Sequence, residues 1–470
     1  MEQTVGGFSV RHSRIIAILA AIAAVLAAVR VFIIGSYYPF DYNEGWNAFH
    51  AQIAVSGQAL YPGSDALTTT NYPPLSFYLI GVLGRLVPDL IVVGRIVALL
   101  SATVVGWCIF RIVRAFGTGP AGPLAGLALF AMINATAFRG YLAMNDPQWL
   151  GQAFMAGALL LLVTGSAARP LATLTTVAAA LLVVVGISVK HNIVAIPAAC
   201  TLWLLLNDRR ALAVWVATGA AGCLALLLID RLVFGGTMMP SILFQPRSYS
   251  AMRALEHGAV GLLFVPAGVL AVKAHPRIAD RRYVLVLYGL AISAVIGFVE
   301  GSGAGVDINA WFELLIFGAI AFGIALPVLA GEKGFAWKFR FGIAPMVALV
   351  PYGLYLVAED LGGRAERSAQ TRAIVAQVAA VDGKVACDML AYCYWAGEDY
   401  GLDFFQVGQR AATATDSAEL EQHLAAGDFA AFLMGDWGTA PPPGPVQAFA
   451  LQHHYQPAFR DAGTVLYRRD

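Results

Sequence analysis

The stretch YYPFDYNEGWNAFHAQIAVSGQALYP (37–62) follows directly on an apolar run, Ile15–Ile34, that is long enough to cross a membrane. Two carboxylates, Asp41 and Glu44, stand three residues apart in it with aromatic rings on either side. Charge is scarce in the chain as a whole. Of 470 residues 59% are hydrophobic and only 13% charged, with a mean hydropathy of +0.69, where a soluble globular protein carries about 25% charged residues. Acidic groups placed just where such a chain leaves the bilayer need a reason.

Apolar blocks of roughly 17–25 residues recur after that stretch, each bounded by charges, Gly or Pro, which is the pattern of repeated membrane spans. They predict an α-helical polytopic protein with eleven spans, at 13–35, 90–115, 121–138, 148–165, 171–189, 192–207, 211–233, 258–274, 283–299, 310–330 and 341–358. The run after Arg11 and Arg14 is too long for a signal-peptide core and SYYPFDYNE offers no small-residue cleavage site, so the first block reads as a retained span.

Charge tests the count. Arg11, Arg14, Arg111, Arg114, Arg169, NDRR (207–210), KAHPRIADRR (273–282) and GEKGFAWKFR (331–340) fall on one side. Asp41, Glu44, Asp65, Asp146, Glu300 and Asp307 fall on the other. This positive-inside pattern puts the N-terminus in the cytoplasm and the acidic loops outside a bacterial cytoplasmic membrane. LSFYLIGVLGRLV (75–87) is too short to cross comfortably, and counting it would invert every later loop. It reads as a helix lying in the outer interface, as does 44–56 with Trp46, Phe49, Ile53 and Ala54 at helical spacing.

Beyond Val357 the chain turns polar. The reading divides it into a membrane domain at 1–358, with 36–89 as the first outer loop, and a small soluble α/β domain at 359–470. In that tail GGRAERSAQTRAIVAQV reads as a helix, and GKVACDM, FAAFLMG and GTVLYRRD as strands. APPPGP (440–445) reads as a short rigid turn. Eleven spans place the tail outside. Cys108, Cys200 and Cys223 sit in apolar spans as packing residues, while Cys387 and Cys393 are free to pair only if the tail is on the oxidising side. No metal-type cysteine spacing and no basic stripe interleaved with aromatics is present, so neither a metal cofactor nor a nucleic-acid partner is indicated.

Ionisable groups at membrane level are costly without a task or a partner. RGYLAMNDPQW (139–149) supplies Arg139 and Asp146, VKHN (189–192) Lys190 and His191, FQPRSYS (244–250) Arg247, and EGSGAGVDIN (300–309) Glu300, Asp307 and Asn309. Each has a plain structural alternative. Asp41 or Glu44 is a helix cap beside an aromatic anchor, Lys190 and His191 end a helix, Asp146 before Pro147 starts one, and Arg247 is a solvated loop charge. Their shared sidedness is what favours a site.

The first outer loop resembles that of the C-type (GT-C) membrane glycosyltransferases, in the branch of glycosyltransferase family 39 with the protein mannosyltransferases, the lipid A aminoarabinose transferase and the lipid A galacturonosyl transferases. In that family a short acidic motif follows the first span, then a small-residue helix ending in G-x-x-L-Y, then YPPL opening an aromatic helix. Here these are Asp41–Glu44, Gly57–Tyr61 and Tyr72–Leu75. The likeness covers the first 165 residues well, the later spans by topology and the tail loosely. The family often has adjacent Asp-Glu; this chain has Asn43-Glu44, which leaves open whether Asp41 or Glu44 is the base.

The resemblance implies an inverting transferase. It would move a sugar from a polyprenyl-phosphate donor to a lipid, glycan or protein acceptor, with a first-loop carboxylate as general base, worth roughly 10²–10⁴-fold. Arg139, Lys190, His191 and Arg247 would meet the leaving phosphate, with Tyr72, Asp146 and Asn309 completing the substrate site. Some members of the wider superfamily need a divalent cation, while this branch generally does not. A secondary transporter or flippase is the rival reading. It is weakened by charges that cluster at one interface rather than at the midplane and by the lack of an internal repeat. A non-catalytic envelope assembly subunit ranks below both, because it would not need the carboxylates.

Overall fold

The structure is a computed structural model that describes residues 8–63, 66–166, 171–413, 417–438 and 442–469. Asp65, Arg169 and the first residues of the 440–445 turn lie outside the described residues.

The helices of the apolar part run in chain order α1 (Val10–Ile33), α2 (Tyr42–Ser56), α3 (Leu75–Leu83), α4 (Leu90–Arg114), α5 (Ala121–Ala135), α6 (Gln148–Gly165), α7 (Thr173–Val189), α8 (Ala195–Asn207), α9 (Arg209–Val233), α10 (Met238–Leu243), α11 (Ala251–Gly258), α12 (Val265–Ala274), α13 (Arg282–Glu300), α14 (Phe312–Val328) and α15 (Phe335–Gly362). Among the described residues eight helical runs are long and apolar enough to cross a membrane, with α11 and α12 fused into one run, Ala251–Arg277. The other three expected spans fall on α5, α7 and α8, which are shorter apolar helices of 15, 17 and 13 residues. At about 1.5 Å per residue they fall short of a hydrocarbon core of about 30 Å. Non-helical backbone is tolerated at membrane depth where protein rather than lipid surrounds it. Residues 142–146, which precede α6, are fully buried in that way.

Local chemistry sets the ends. Asp89 accepts from the backbone N–H groups of Ile91 (2.9 Å) and Val92 (3.4 Å) at the start of α4, and Asp208 from Ala211 (3.0 Å) at the start of α9. Gly57, at φ 83°, stops α2 in the left-handed conformation that glycine adopts without strain. The core is α14, buried along nearly its whole length and packed against α5, α12 and α13, whereas α9 presents almost all its apolar surface outward. A helix that is apolar all round and exposed fits lipid contact.

The two segments read as interfacial are α2 and α3, packed on each other and on α4. The tail comprises α16 (Arg364–Ala379), β1 (Lys384–Cys387), α17 (Leu390–Ala396), α18 (Phe404–Thr413), α19 (Ser417–Ala426), β2 (Phe429–Gly435), α20 (Pro445–Gln452), β3 (Gln456–Asp461) and β4 (Thr464–Arg468). Its sheet has the order β1-β2-β4-β3, with β1 parallel to β2 and the other pairs antiparallel. Strand β3 and helices α17–α20 are absent from the sequence reading. In β3 the residues are mostly exposed, so no alternation of apolar and polar side chains marked it. Cys387 and Cys393 form a disulfide that ties the end of β1 to α17.

The tail docks on α2 and α3. One apolar cluster runs from Trp46, Phe49 and Phe77 into Ile374, Leu390 and Cys393. Gly45 permits the approach: a Cβ there would lie 2.1 Å from the backbone nitrogen of Ala391.

Candidate active site

Asp41 is the N-cap of α2, its carboxylate accepting from the backbone N–H of Asn43 at 3.0 Å. That satisfies the capping alternative, yet the same side chain lines a cavity of about 650 Å³ between the first loop, the 305–307 loop and the tail. Burial pushes the Asp41 carboxyl up to about 6, with Asp146, Asp307 and Glu44 adding repulsion and the Asn43 N–H opposing it.

Glu44 is placed differently. It is fully buried, and both oxygens are engaged by the Arg95 guanidinium, at 2.7 Å from Nε and 2.6 Å from Nη2. The backbone N–H groups of Phe40 (2.7 Å) and Asn145 (3.1 Å) donate to it as well. Arg95 spends its remaining N–H groups on the carbonyls of Ile34, Ser36 and Tyr38 and stacks over the Phe40 ring at 3.7 Å. Glu44 therefore faces the protein, not the cavity. Arg95 went unread in the sequence, although an Arg far from the two at the other end of a 25-residue apolar helix, Arg111 and Arg114, was a signal of a buried partner.

A second cavity, of about 290 Å³, holds Lys190, His191, Arg247, Glu300 and Asn309. Asn71, Tyr72, Arg247, Gly305 and Val306 line both cavities, so the two are lobes of one space. Lys190 ends α7, pointing inward. Its ammonium lies 3.5 Å from Asp146 Oδ1 and 4.6 Å from the centre of the Tyr72 ring. Burial pulls its pKa down, but Asp146 and Tyr72 outweigh that and leave it raised, so Lys190 stays cationic. His191 is held near 4 by burial, helped by Lys190 and Arg247, so it is neutral at pH 7 and offers a hydrogen bond rather than a charge. Arg247 has no ion-pair partner among the described residues. Leu243, Tyr249 and Val299, which line this lobe, are exposed apolar side chains.

Asp146 serves two neighbours, accepting from Gln148 N at 2.8 Å at the start of α6 and pairing with Lys190. The carbonyl of Asn309 accepts from Gln148 Nε2 at 3.3 Å. Arg139 is the residue the structure separates from the rest. Its guanidinium pairs with Glu359 and Asp360 at 3.3 Å each and donates to the Leu356 carbonyl, which fastens the 139–141 turn to the end of α15, outside both lobes.

The tail supplies residues the sequence reading did not name. Asp403 is buried and accepts from Tyr42 Oη (2.9 Å), Trp46 Nε1 (3.2 Å), Tyr400 Oη (3.0 Å) and Gln406 N (2.9 Å), holding α2 against α18. Gln409 Oε1 accepts from Ser248 N at 3.1 Å, and Arg410 donates to the Ala66 carbonyl at 2.7 Å. Asp403 and α18 thus fasten α2, the Arg247 loop and the loop after α2 together. Among the described residues no cluster of three or more His, Cys, Asp or Glu side chains is arranged to hold a metal ion.

Helices long and apolar enough to span a membrane around a core helix, two shorter helices after the first of them, and a small sheet domain docked over them make up the fold. Residues 71–231 match the family of dolichyl-phosphate-mannose-protein mannosyltransferases. The fold is similar to that of ArnT from Cupriavidus metallidurans bound to undecaprenyl phosphate, at 15% identity and a TM-score of 0.62, over 95% of this chain and 97% of that one. It is also similar to the Archaeoglobus fulgidus oligosaccharyltransferase AglB in complex with an inhibitory peptide and a dolichol-phosphate, at 10% identity and a TM-score of 0.53, over 89% of this chain and 69% of that one. No curated protein matches the chain by sequence.

Proposed function

We propose that the chain is an inverting glycosyltransferase that takes a sugar from a polyprenyl-phosphate donor and places it on an acceptor hydroxyl at the outer face of the membrane. The observation that carries the reading is the two-lobed cavity: a cationic lobe opening beside exposed apolar side chains joins an acidic lobe that holds Asp41. A lipid-borne phosphate fits the first lobe, where Lys190 and Arg247 would bind its charge and His191, Tyr72 and Asn309 its neutral surroundings. Asp41 takes the proton from the acceptor hydroxyl. The acceptor oxygen then attacks the anomeric carbon on the side away from the phosphate, and the C1–O bond breaks with its electron pair leaving on that phosphate. Lys190 and Arg247 stabilise the charge that develops there.

Asp41 rather than Glu44 is the base in this reading, because Glu44 has no oxygen free of the Arg95 pair and the two backbone donors. The positive-inside pattern supports a cytoplasmic N-terminus and an outer tail, and the disulfide agrees with an oxidising side. Undecaprenyl-phosphate binding to the purified chain tests the donor site. Lys190→Ala and Arg247→Ala should each weaken it about tenfold or more, since hydrogen bonds to charged groups contribute about 1.5–3 kcal/mol. Arg139→Ala should leave it unchanged. Equal affinity in all three variants would move the phosphate elsewhere.

A further inference from the structure

Helix α8 starts without a cap of its own. The residue ahead of it is Val194, whose side chain holds no acceptor, so the backbone N–H groups of the first turn need a partner from elsewhere. Glu313 supplies it. Its two oxygens accept from Ala195 N at 3.0 Å and from Ile196 N at 2.6 Å. Glu313 is the second residue of α14 and the only charged residue between Asp307 and Glu332, in a helix buried along nearly its whole length. It is 6% exposed, and no lysine or arginine pairs with it among the described residues. A carboxyl group placed in such a helix is costly without a task. The proton transfer at Asp41 and the phosphate contacts of Lys190 and Arg247 make no use of it.

The cap stands next to the turn that carries the cationic lobe. The stretch 190–194 joins α7 to α8, and its Lys190, His191 and Asn192 all line that lobe. At one end Lys190 N donates to the Gly186 carbonyl at 3.0 Å, which ties the turn to α7. At the other end the tie is Glu313. Helix α14 is itself fixed against α6: the Phe312 ring stacks on Trp149 with centroids 4.2 Å apart, and the Asn309 carbonyl accepts from Gln148 Nε2 at 3.3 Å. Just ahead of α6 stands Asp146, which meets the Lys190 ammonium at 3.5 Å. The backbone of the turn and the tip of its lysine are therefore both referred to one frame, the joined starts of α6 and α14. Glu313 lines neither lobe.

Resting on the transferase reading, we propose that Glu313 is a positioning residue for the donor phosphate: by capping α8 from α14 it fixes the 190–194 turn and holds Lys190 and His191 in place before the lipid arrives. Groups held in advance lose less freedom on binding, and that saving appears as affinity. Glutamine fills the same space as glutamate but keeps one acceptor and turns an amide donor toward the second N–H. One of the two cap bonds is then lost, and the turn is free to shift relative to Asp146.

The test is a mutant cycle on the full chain in lipid nanodiscs, with undecaprenyl phosphate as the probe and a thermal melt to show that each variant is folded. Glu313→Gln alone should weaken undecaprenyl phosphate about fivefold, the loss expected for one hydrogen bond. Added to Arg247→Ala, whose side chain comes from another loop, it should cost the same fivefold again. Added to a chain that already carries Lys190→Ala and His191→Ala, it should cost less than about twofold, because the groups it positions are gone. A merely structural loss would lower affinity equally in all three backgrounds, and that result overturns the proposal, as does unchanged affinity in Glu313→Gln alone. Amide hydrogen exchange gives an independent reading. Residues 190–196 should exchange faster in Glu313→Gln while α4 keeps its protection, and unchanged exchange at 190–196 also overturns the cap. Should Glu313→Gln not fold, Glu313→Asp carries the same cycle, since it keeps the carboxylate but draws it back by one methylene. If wild type does not bind undecaprenyl phosphate, or if Lys190→Ala with His191→Ala leaves its affinity unchanged, the donor-site reading falls instead, and the exchange data still judge the cap.

Discussion

Asp41→Asn separates the two roles that the geometry gives this residue. Asparagine is as good an N-cap as aspartate, so the start of α2 and the bond to Asn43 N survive. What disappears is the charge. The Asp41 carboxyl is pushed from an ordinary value of 3.8 to about 6, mainly by burial. A shift of about two units at about 1.4 kcal/mol each is worth up to about 3 kcal/mol, reduced to about 2 for the water that still reaches the side chain. The sign follows from linkage. The folded protein holds this proton more tightly than the unfolded chain, so the group favours folding below pH 4. That contribution is lost as pH rises from about 4 to about 6, and above 6 a constant penalty remains.

Asparagine carries no such penalty. The variant should therefore melt about 2–4 °C above wild type at pH 7.5 in the same detergent, with the gap closing as pH falls toward 4. Its transfer rate should drop roughly 10²–10⁴-fold, because an amide has no lone pair basic enough to take the acceptor proton. In wild type, kcat/KM should rise with pH through about 6 and then level. A stabilised but inactive protein is the joint expectation. If Asp41→Asn melts with wild type at every pH and still transfers sugar, the carboxyl is a solvated cap and the mechanism is wrong.

Glu44→Gln should behave in the opposite way, losing about 3–5 kcal/mol of stability because Arg95 is left buried beside a neutral partner. Combining it with Arg95→Met should recover part of that loss in a thermal melt, and a double variant no more stable than the single one would argue against the pair. Gly45→Ala should cost about 1–3 kcal/mol and loosen the tail, seen as faster proteolysis between α15 and α16, since the new methyl meets the Ala391 backbone. A cysteine placed at Gln422 should react with an impermeant maleimide from outside the cell, and one at Lys333 only after permeabilisation; the reverse result would invert the topology. Cys387 and Cys393 should resist alkylation in denatured protein until a reductant is added.

What the sequence disclosed and what it hid divide along contact distance. The two short helices α2 and α3 were legible as helices, and α3 as too short to span, because a 13-residue apolar block cannot cross about 30 Å and the charge rule fails if it does. Lys190 and Arg247 were legible as cations on the acidic side, and they lie in one lobe. Arg139 carried the same signal and lies elsewhere, because sidedness gives a residue's depth but not its azimuth around the bundle. Its partners Glu359 and Asp360 stand about 220 positions away. Glu44 and Asp41 looked equivalent three residues apart, but that spacing puts one at a helix cap open to the cavity and the other a turn later against α4. Arg95 is 51 positions on, and it is what tells them apart. Asp403 is more distant still, over 350 positions from the helix it supports. A tail that reads as an appendage in sequence therefore forms half the wall of the larger lobe, and a chain cut after α15 should lose that half of the wall while keeping Lys190 and Arg247.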